Sequence, residues 1–203
     1  MNDVLRMDRK TLIVALAVAT LAWGVLATAM FAPLTASAAG CTSGTLISGS
    51  LPAVYYCGGD GKRYVFPNEK TYMTWYSDFS GVMQISDADL ATIQIGGNVT
   101  YRPGVKMVKI TTDPKVYAVS ADGTLRPIAD EAAAVALYGS AWNTMIDDVP
   151  DAFFTNYTVG SAVSGPSDFD KTAEMSAAQS INEDKNLGAG SSATGGVSKA
   201  SDS

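Results

Sequence analysis

The alternation of apolar and polar positions predicts a hairpin followed by a helix in the first part of the chain. The stretch AVYYCGGDGKRYVFPNE (53–69) has two β-rich runs around an Asp-Gly pair, which is typical of a hairpin turn. Asn68, a favoured helix N-cap residue, follows the second run. Apolar side chains then repeat with the spacing of one helical face, at Tyr72, Trp75, Tyr76 and Phe79.

A near copy of this pattern, KVYAVSADGTLRPIADE (115–131), follows at an offset of 62 in the numbering, from 53 to 115. Seven positions are identical at this offset: Pro52/Pro114, Val54/Val116, Tyr55/Tyr117, Asp60/Asp122, Gly61/Gly123, Glu69/Glu131 and Tyr76/Tyr138. The match resumes at an offset of 64, with Asp87/Asp151, Ala88/Ala152, Gly96/Gly160 and Val99/Val163 identical. The sequence therefore predicts two tandem copies, residues 44–103 and 104–165, each a unit that buries its apolar face against a neighbour.

Each copy is expected to contain two or three short strands, a helix and a further short helical turn. Asp130 takes the N-cap position of Asn68 in the second copy, Ser86 begins a capped helical turn, and Pro103-Gly104 turns one strand into the next. The predicted fold class is α+β: two tandem ββ(β)α-type repeats packed as one small domain, preceded by an N-terminal apolar helix.

The pattern VYYC..DGKRYVFPNEKTYMTWYSDFSGVMQISDADL....IGGNVTYRPG resembles a repeat of exported bacterial proteins. It is especially similar to uncharacterised surface proteins of candidate-phylum bacteria, and the resemblance covers Gly44 to Val163. It implies export and a role in the cell envelope. No catalytic residue carries over from it.

Residues 1–38 are predicted to be a targeting segment. Arg6, Arg9 and Lys10 precede a run of about twenty uncharged residues, which is long enough to cross a membrane and would leave the N-terminus in the cytoplasm. In the favoured interpretation, residues 11–32 cross the cytoplasmic membrane once as an anchor, and the C-terminal part of the chain lies outside. The alternatives are a signal peptide cleaved after Ala36-Ser37-Ala38 and a lipoprotein signal ending at Cys41.

Composition excludes several classes of function. The net charge is −6 and no basic stripe is present, so nucleic acid is not an expected partner. The chain has no histidine, which removes the commonest general base and most zinc sites. No catalytic residue, metal site or cofactor is predicted. The Gly- and Ser-rich residues 166–203 are predicted to form a disordered tail, in which Lys171–Ile181 could form a transient helix.

The two cysteines are expected to form a disulfide, because such bonds persist outside the cytoplasm. Cys41 and Cys57 enclose a 15-residue interval, for which the chain-entropy estimate gives roughly 3 kcal/mol of stabilisation. The alternative is a pair of unpaired thiols.

Tyr56 and Tyr64 are the candidate ligand-binding residues. Aromatic side chains crowd the first copy, and most are expected to be core. The counterparts of these two, Ala118 and Arg126, are not large apolar residues. This difference predicts that the two tyrosines are exposed and could stack on glycan.

The recurring carboxylates do not predict an active site. Glu69/Glu131 and Asp87/Asp151 fall in the first turn of predicted helices, where acids favour the positive end of the helix dipole. The sequence thus predicts a non-enzymatic envelope protein that binds wall glycan, a surface layer or an envelope protein. The alternatives are a His-free envelope hydrolase and a docking subunit of a larger exported assembly.

Overall fold

A computed structural model describes residues 41–188. The predicted anchor (1–38) and the last part of the predicted tail (189–203) lie outside the described residues. Within the described part, two five-stranded sheets are accompanied by short helices, so the predicted mixture of α and β structure is confirmed. No helix of residues 41–188 has both the length and the apolar character needed to cross a membrane.

The first sheet is built from residues 46–98. Its strands are β1 (Leu46–Ser48), β2 (Val54–Cys57), β3 (Arg63–Val65), β4 (Val82–Gln84) and β5 (Ile95–Asn98), in the order β4-β1-β2-β3-β5. β1, β2 and β3 are antiparallel, whereas β4 and β5 add in parallel at the two edges. Helix α1 (Glu69–Met73) connects β3 to β4, and α2 (Asp87–Thr92) connects β4 to β5.

The second sheet, from residues 107–159, has the same plan. Its strands are β6 (Met107–Ile110), β7 (Tyr117–Ser120), β8 (Thr124–Pro127), β9 (Ile146–Val149) and β10 (Thr158–Val159). Their order is β10-β8-β7-β6-β9, which is the first order read from the other edge. Helix α3 (Glu131–Tyr138) and a 3-10 turn (Trp142–Met145) precede β9, and α4 (Asp151–Phe154) precedes β10.

Strand pairing gives the sequence offsets a physical meaning. Tyr55 pairs with Val65 and Tyr117 with Pro127, so both members of this central pair shift by the same offset of 62. The outer pairs are Leu46–Val82 and Met107–Ile146. Here the inner strand shifts by 61 (46 to 107) and the edge strand by 64 (82 to 146). The length differences therefore fall in the connections, and the pairing of the central strands is the same in both sheets.

The helix starts follow the sequence signals. Asn68 Oδ1 accepts the Thr71 N–H at 2.9 Å, and Asp130 Oδ1 accepts the Ala133 N–H at 2.8 Å, so each satisfies a donor that the first helical turn leaves free. Helix α1 ends at Met73 although the apolar stripe continues to Phe79. Beyond the helix, Asp78 forms an Asx turn by accepting the Ser80 N–H at 2.8 Å.

Both faces of each sheet are covered. On the α1 side of the first sheet the core consists of Leu46, Tyr56, Tyr64, Phe66, Tyr72, Val99 and Ile181. The corresponding cluster of the second sheet is Met107, Ala118, Ala134, Tyr138, Val163 and Phe169. The opposite faces are covered by α2 and α4, whose Leu90 and Phe154 pack against equivalent strand residues.

Residues 166–188, which we name the C-terminal segment, correct the predicted disordered tail. They contain α5 (Lys171–Ala177) and α6 (Ile181–Asp184). Phe169 inserts into the core of the second sheet and Ile181 into that of the first, with 3% and 0% of their surfaces exposed. A segment poor in apolar residues is ordered here because its few large ones enter two cores prepared by other elements.

Hydrogen bonds also tie the C-terminal segment to both hairpin turns. Asn182 Oδ1 accepts the Gly59 N–H at 2.8 Å in the first hairpin, and Asp184 Oδ1 accepts the Asp122 N–H at 2.9 Å in the second. Glu174 accepts the Ser120 hydroxyl proton at 2.8 Å. These side chains satisfy turn groups that the sheets leave unpaired, which would be costly to bury alone.

The predicted disulfide is present in the structure. Cys41 and Cys57 are bonded, with their Cα atoms 5.3 Å apart. Cys57 is fully buried at the end of β2, and Cys41 packs with it on the α2 side of the first sheet. The equivalent position of the second sheet holds Val119, so the first sheet has a covalent link where the second has an apolar contact.

Candidate functional site

The predicted ligand-binding tyrosines are core residues, which corrects the prediction. Tyr56 is 2% exposed and Tyr64 is 6% exposed, and burial raises the pKa of both phenols to about 12. The Tyr64 ring packs against the backbone of Gly96, where a Cβ would collide with it, and its hydroxyl donates to Asp60 at 2.8 Å. Neither ring has a free face for a sugar.

Two clefts that are open to solvent lie elsewhere, beside the starts of α1 and α3. The first groove has a volume of about 530 Å³. It is lined by Pro52, Ala53, Val54, Val65, Phe66, Pro67, Asn68, Glu69, Tyr72, Phe79 and Phe153. Its floor is apolar and aromatic, and Glu69 is the one ionisable carboxylate of this lining. Volumes of this size suit a ligand rather than a single water molecule.

The second groove has a volume of about 430 Å³. Its lining consists of Asp113, Pro114, Lys115, Val116, Ile128, Ala129, Asp130, Glu131, Ala134 and Trp142. At the offset of 62, eight of these residues are the counterparts of residues in the first groove, from Pro52/Pro114 to Tyr72/Ala134. The two grooves are thus the same part of two similarly connected sheets.

Three of the seven pairs identical in the two sequences line the grooves: Pro52/Pro114, Val54/Val116 and Glu69/Glu131. The other four pairs are explained by hairpin turns or by tyrosines that lie in the cores or pack against them. The proline and glutamate pairs are exposed, so core packing does not account for their identity, although the first helical turn favours an acidic residue at Glu69 and Glu131. Exposed identity in both copies marks the grooves as the candidate functional site.

A second recurring pair of carboxylates positions one wall of each groove. Asp87 accepts the Ser50 N–H at 2.9 Å and the Ser50 hydroxyl proton at 2.5 Å, and these bonds hold the pKa of Asp87 below its usual value. Asp151 similarly accepts the hydroxyl protons of Thr111 and Thr112 at 3.4 and 3.1 Å. Each aspartate therefore anchors the loop that carries Pro52 or Pro114, a role beyond the predicted helix-dipole effect.

An aromatic ring stands beside each groove, contributed by the segment between the helix and the following edge strand. In the first groove this ring is Phe79, which stacks on Tyr72 with the centroids 4.3 Å apart and remains 42% exposed. In the second groove it is Trp142. The first groove also receives Phe153 from α4 of the second sheet, which makes it larger and more aromatic.

The groove residues escaped sequence reasoning, although their signal was visible. Pro52/Pro114 and Glu69/Glu131 are identical in the two copies, and the sequence assigned Glu69 and Glu131 only to helix starts. Tyr56 and Tyr64 were selected because their residue types differ between the two copies. The open clefts instead contain positions whose residue types are identical in the two copies.

A metal site requires several ligating side chains that lie close together. Within residues 41–188 there is no group of three or more Cys, Asp or Glu side chains placed to hold a metal ion.

Comparison with known proteins adds no family: no protein-family model, curated protein or solved structure matches the chain.

Proposed function

We propose that this protein is a non-enzymatic, exported component of the cell envelope whose two sheets are copies of one binding unit. The two equivalent grooves are the ligand-binding surfaces of the copies. The observation that carries the proposal is the exposed identity of Pro52/Pro114 and Glu69/Glu131 on grooves of similar volume. Two like grooves on one chain suit a partner that presents the same feature more than once.

Duplication is supported by agreement between independent features. The two sheets share a strand order, equivalent central pairings and N-caps of the same kind at Asn68 and Asp130. Unrelated units would have no reason to share all three. The proposed units are residues 44–103 and 104–165, with the C-terminal segment packed against both.

Export is supported by the disulfide and by the sequence before it. The Cys41–Cys57 bond suits an oxidising compartment. The basic residues and long apolar run of residues 1–38 suit a membrane anchor with the grooves outside the cytoplasm. The resemblance to repeats of bacterial surface proteins agrees with both.

A binding role is favoured over hydrolysis by the chemistry of the grooves. Two-carboxylate hydrolysis needs an acid and a second carboxylate at one site. The first groove has only Glu69, because Asn68 replaces the aspartate found at position 130 of the second groove. A paired-carboxylate mechanism could not operate in both copies, although both keep the same glutamate.

Filling the grooves tests this proposal. We expect the full-length chain, in a mild detergent, to co-sediment with purified native envelope. The double variant Ala53→Trp/Ala129→Trp, which places an indole in each groove, should lose at least about 80% of this binding, a loss of roughly 1 kcal/mol in affinity. The matched control is Ala88→Trp/Ala177→Trp, which adds the same indoles at exposed positions outside the grooves.

Equal binding by the groove-filled and control variants would overturn the proposed function, provided both variants melt like the wild type. Release of soluble fragments from envelope polymer by the wild type, lost on filling, would instead establish the hydrolase alternative. Fractionation tests the export proposal separately, since an anchored chain should remain with membranes after carbonate washing.

A further inference from the structure

We infer that the two grooves bind cationic polypeptide, each taking a lysine or arginine side chain together with its apolar neighbours. This inference rests on the proposed function, because it names the ligand of the proposed grooves. It is carried by the charge of the two linings, by the carboxylates left without partners, and by the apolar surfaces beside them.

The charge of the two linings favours a cation. The lining of the first groove contains the carboxylate of Glu69 and no lysine or arginine. The second groove has Asp113, Asp130 and Glu131 against a single cation, Lys115. Both linings are net negative, on a chain whose net charge is −6. Polyanions such as phosphate-rich polymers would be repelled from both grooves, whereas basic polypeptide would be attracted.

The one ionised group that both grooves share and leave without a partner among the described residues is a glutamate carboxylate. Asn68 and Asp130 use their Oδ1 atoms to cap α1 and α3, and Asp113 accepts the Lys115 N–H at 2.9 Å. Glu69 and Glu131 are different, because neither carboxylate has a hydrogen bond or ion pair with the described residues. A ligand that pairs with these two glutamates brings a donor, and a charged donor forms the stronger bond to a carboxylate.

The surface beside each glutamate also suits a cationic side chain. Pro52 and Val54 of the first groove correspond to Pro114 and Val116 of the second, and provide the same apolar wall. The methylene stem of a lysine or arginine packs on such a wall while its charged end reaches a carboxylate. The rings of Phe79 and Trp142 add a surface to which a cation is attracted.

Neutral glycan satisfies these features less completely. A sugar could stack on an aromatic ring, but its hydroxyl groups both donate and accept hydrogen bonds. The free glutamates offer acceptors, and the lining of the first groove contains no lysine or arginine beside its carboxylate. A lysine side chain brings three donors and a positive charge to the free glutamate, and it has no acceptor that the groove must satisfy.

The experiment uses full-length protein in a zwitterionic detergent and three probes: a labelled octapeptide of alternating Lys and Val, its Glu–Val counterpart, and chitohexaose. Calorimetry should give two Lys–Val peptides bound per chain and no binding of the Glu–Val peptide. Glu69→Gln/Glu131→Gln should weaken Lys–Val binding at each groove by about three- to fivefold, as expected when each bound peptide loses one exposed ion pair. Asp89→Asn/Asp148→Asn removes the same charge outside the grooves and should weaken it by less than about twofold.

The possible failures separate this inference from the proposed function. Equal weakening by the two charge-removing variants would show diffuse attraction and overturn the inference. If chitohexaose binds, is blocked by Ala53→Trp/Ala129→Trp, and the Lys–Val peptide does not bind, the grooves are binding sites but their ligand class is glycan. Retained affinity of groove-filled protein for every probe that the wild type binds would count against the grooves themselves.

Discussion

The two sheets have the same connections but fill the space under their helices in different ways. The first places large tyrosines there, Tyr56 on β2 and Tyr72 on α1. At the same positions the second has Ala118 and Ala134, both at most 2% exposed. An equivalent position can therefore be core in both copies although its residue changes from Tyr to Ala, because other side chains fill the difference in volume.

The C-terminal segment supplies a different part of each filling. The second core, with its alanines, takes the whole ring of Phe169. The tyrosine-rich first core takes the smaller Ile181. A single chain segment thus completes two cores, and the size of each inserted side chain follows the space that the strand and helix residues leave. The shared topology determines where each core needs an additional side chain, but it does not determine which residue fills that place.

The largest expected effect comes from removing these inserted side chains. Phe169→Ala should cost about 3–5 kcal/mol and Ile181→Ala about 2–5 kcal/mol of unfolding free energy, because each leaves a cavity in a close-packed core. Urea unfolding gives the totals. Hydrogen exchange should show β6–β9 losing protection in the Phe169 variant and β1–β4 in the Ile181 variant.

The exposed Leu51, with 74% of its surface accessible, provides the control. Leu51→Ala should cost less than about 0.5 kcal/mol. If Phe169→Ala and Ile181→Ala behaved like this control, the C-terminal segment would not be completing the two cores.

The next effect concerns the covalent difference between the sheets. Cys41→Ser/Cys57→Val gives the first sheet the apolar residue that the second has at Val119. It should lower the unfolding free energy by roughly 3 kcal/mol, the loop-closure entropy of the lost crosslink. Wild type treated with a reductant should fall to a similar value, whereas the variant should not respond. A variant as stable as the oxidised wild type would show that packing alone suffices in both copies.

A third, somewhat smaller effect lies at the contact of α6 with the second hairpin. Burial raises the pKa of Asp184 from 3.8 to about 6, despite hydrogen bonds from the Asp122 N–H and the Thr100 hydroxyl and the nearby charge of Lys185. The folded state therefore holds this proton more tightly than the unfolded state. Its contribution to stability is full below about pH 3.8 and is lost as the pH rises through about 6.

Asp184→Asn isolates this contribution, since its Oδ1 can still accept the Asp122 N–H and its amide can donate to Thr100. The wild type should lose about 2–3 kcal/mol relative to this variant between pH 4 and pH 7, from the size of the pKa difference. Urea midpoints of both proteins across this range give the difference curve. A curve that is flat, or that rises with pH, would contradict the buried, proton-binding state of Asp184.

The smallest effect concerns the feature that the two copies share most closely. Glu69→Gln and Glu131→Gln should each reduce stability by only about 0.3–1 kcal/mol, the size of a charge interaction at a helix start. The two losses should be alike, because both side chains are exposed in the first turn. Melting curves of the single variants test this. A stability loss at either glutamate as large as that of a core truncation would contradict this prediction. It would show that the side chain is needed for folding rather than only placed at a helix start.

The candidate site was only partly accessible to sequence reasoning. The sequence shows that Pro52/Pro114 and Glu69/Glu131 are identical in the two copies. Nothing in it shows that the loop carrying the proline lies opposite the helix start carrying the glutamate and forms a cleft with it. Tyr56 and Tyr64 were misassigned because their counterparts are Ala118 and Arg126. That prediction assumed that a core position stays large and apolar in both copies, whereas Ile181 and Phe169 arrive from outside both copies and complete the two cores differently.

The sequence by itself determined the local features of this protein. Asp-Gly pairs set the hairpin turns, Asn68 and Asp130 set the helix starts, and alternating apolar residues set the strands, because each depends on backbone preferences within a few residues. Tertiary structure decided that the C-terminal segment is ordered, that Tyr56 and Tyr64 are buried, and that the two grooves form. These depend on contacts as distant in sequence as Asn182 with Gly59, 123 residues apart, and on side-chain volumes summed over several elements. No local pattern encodes such a sum.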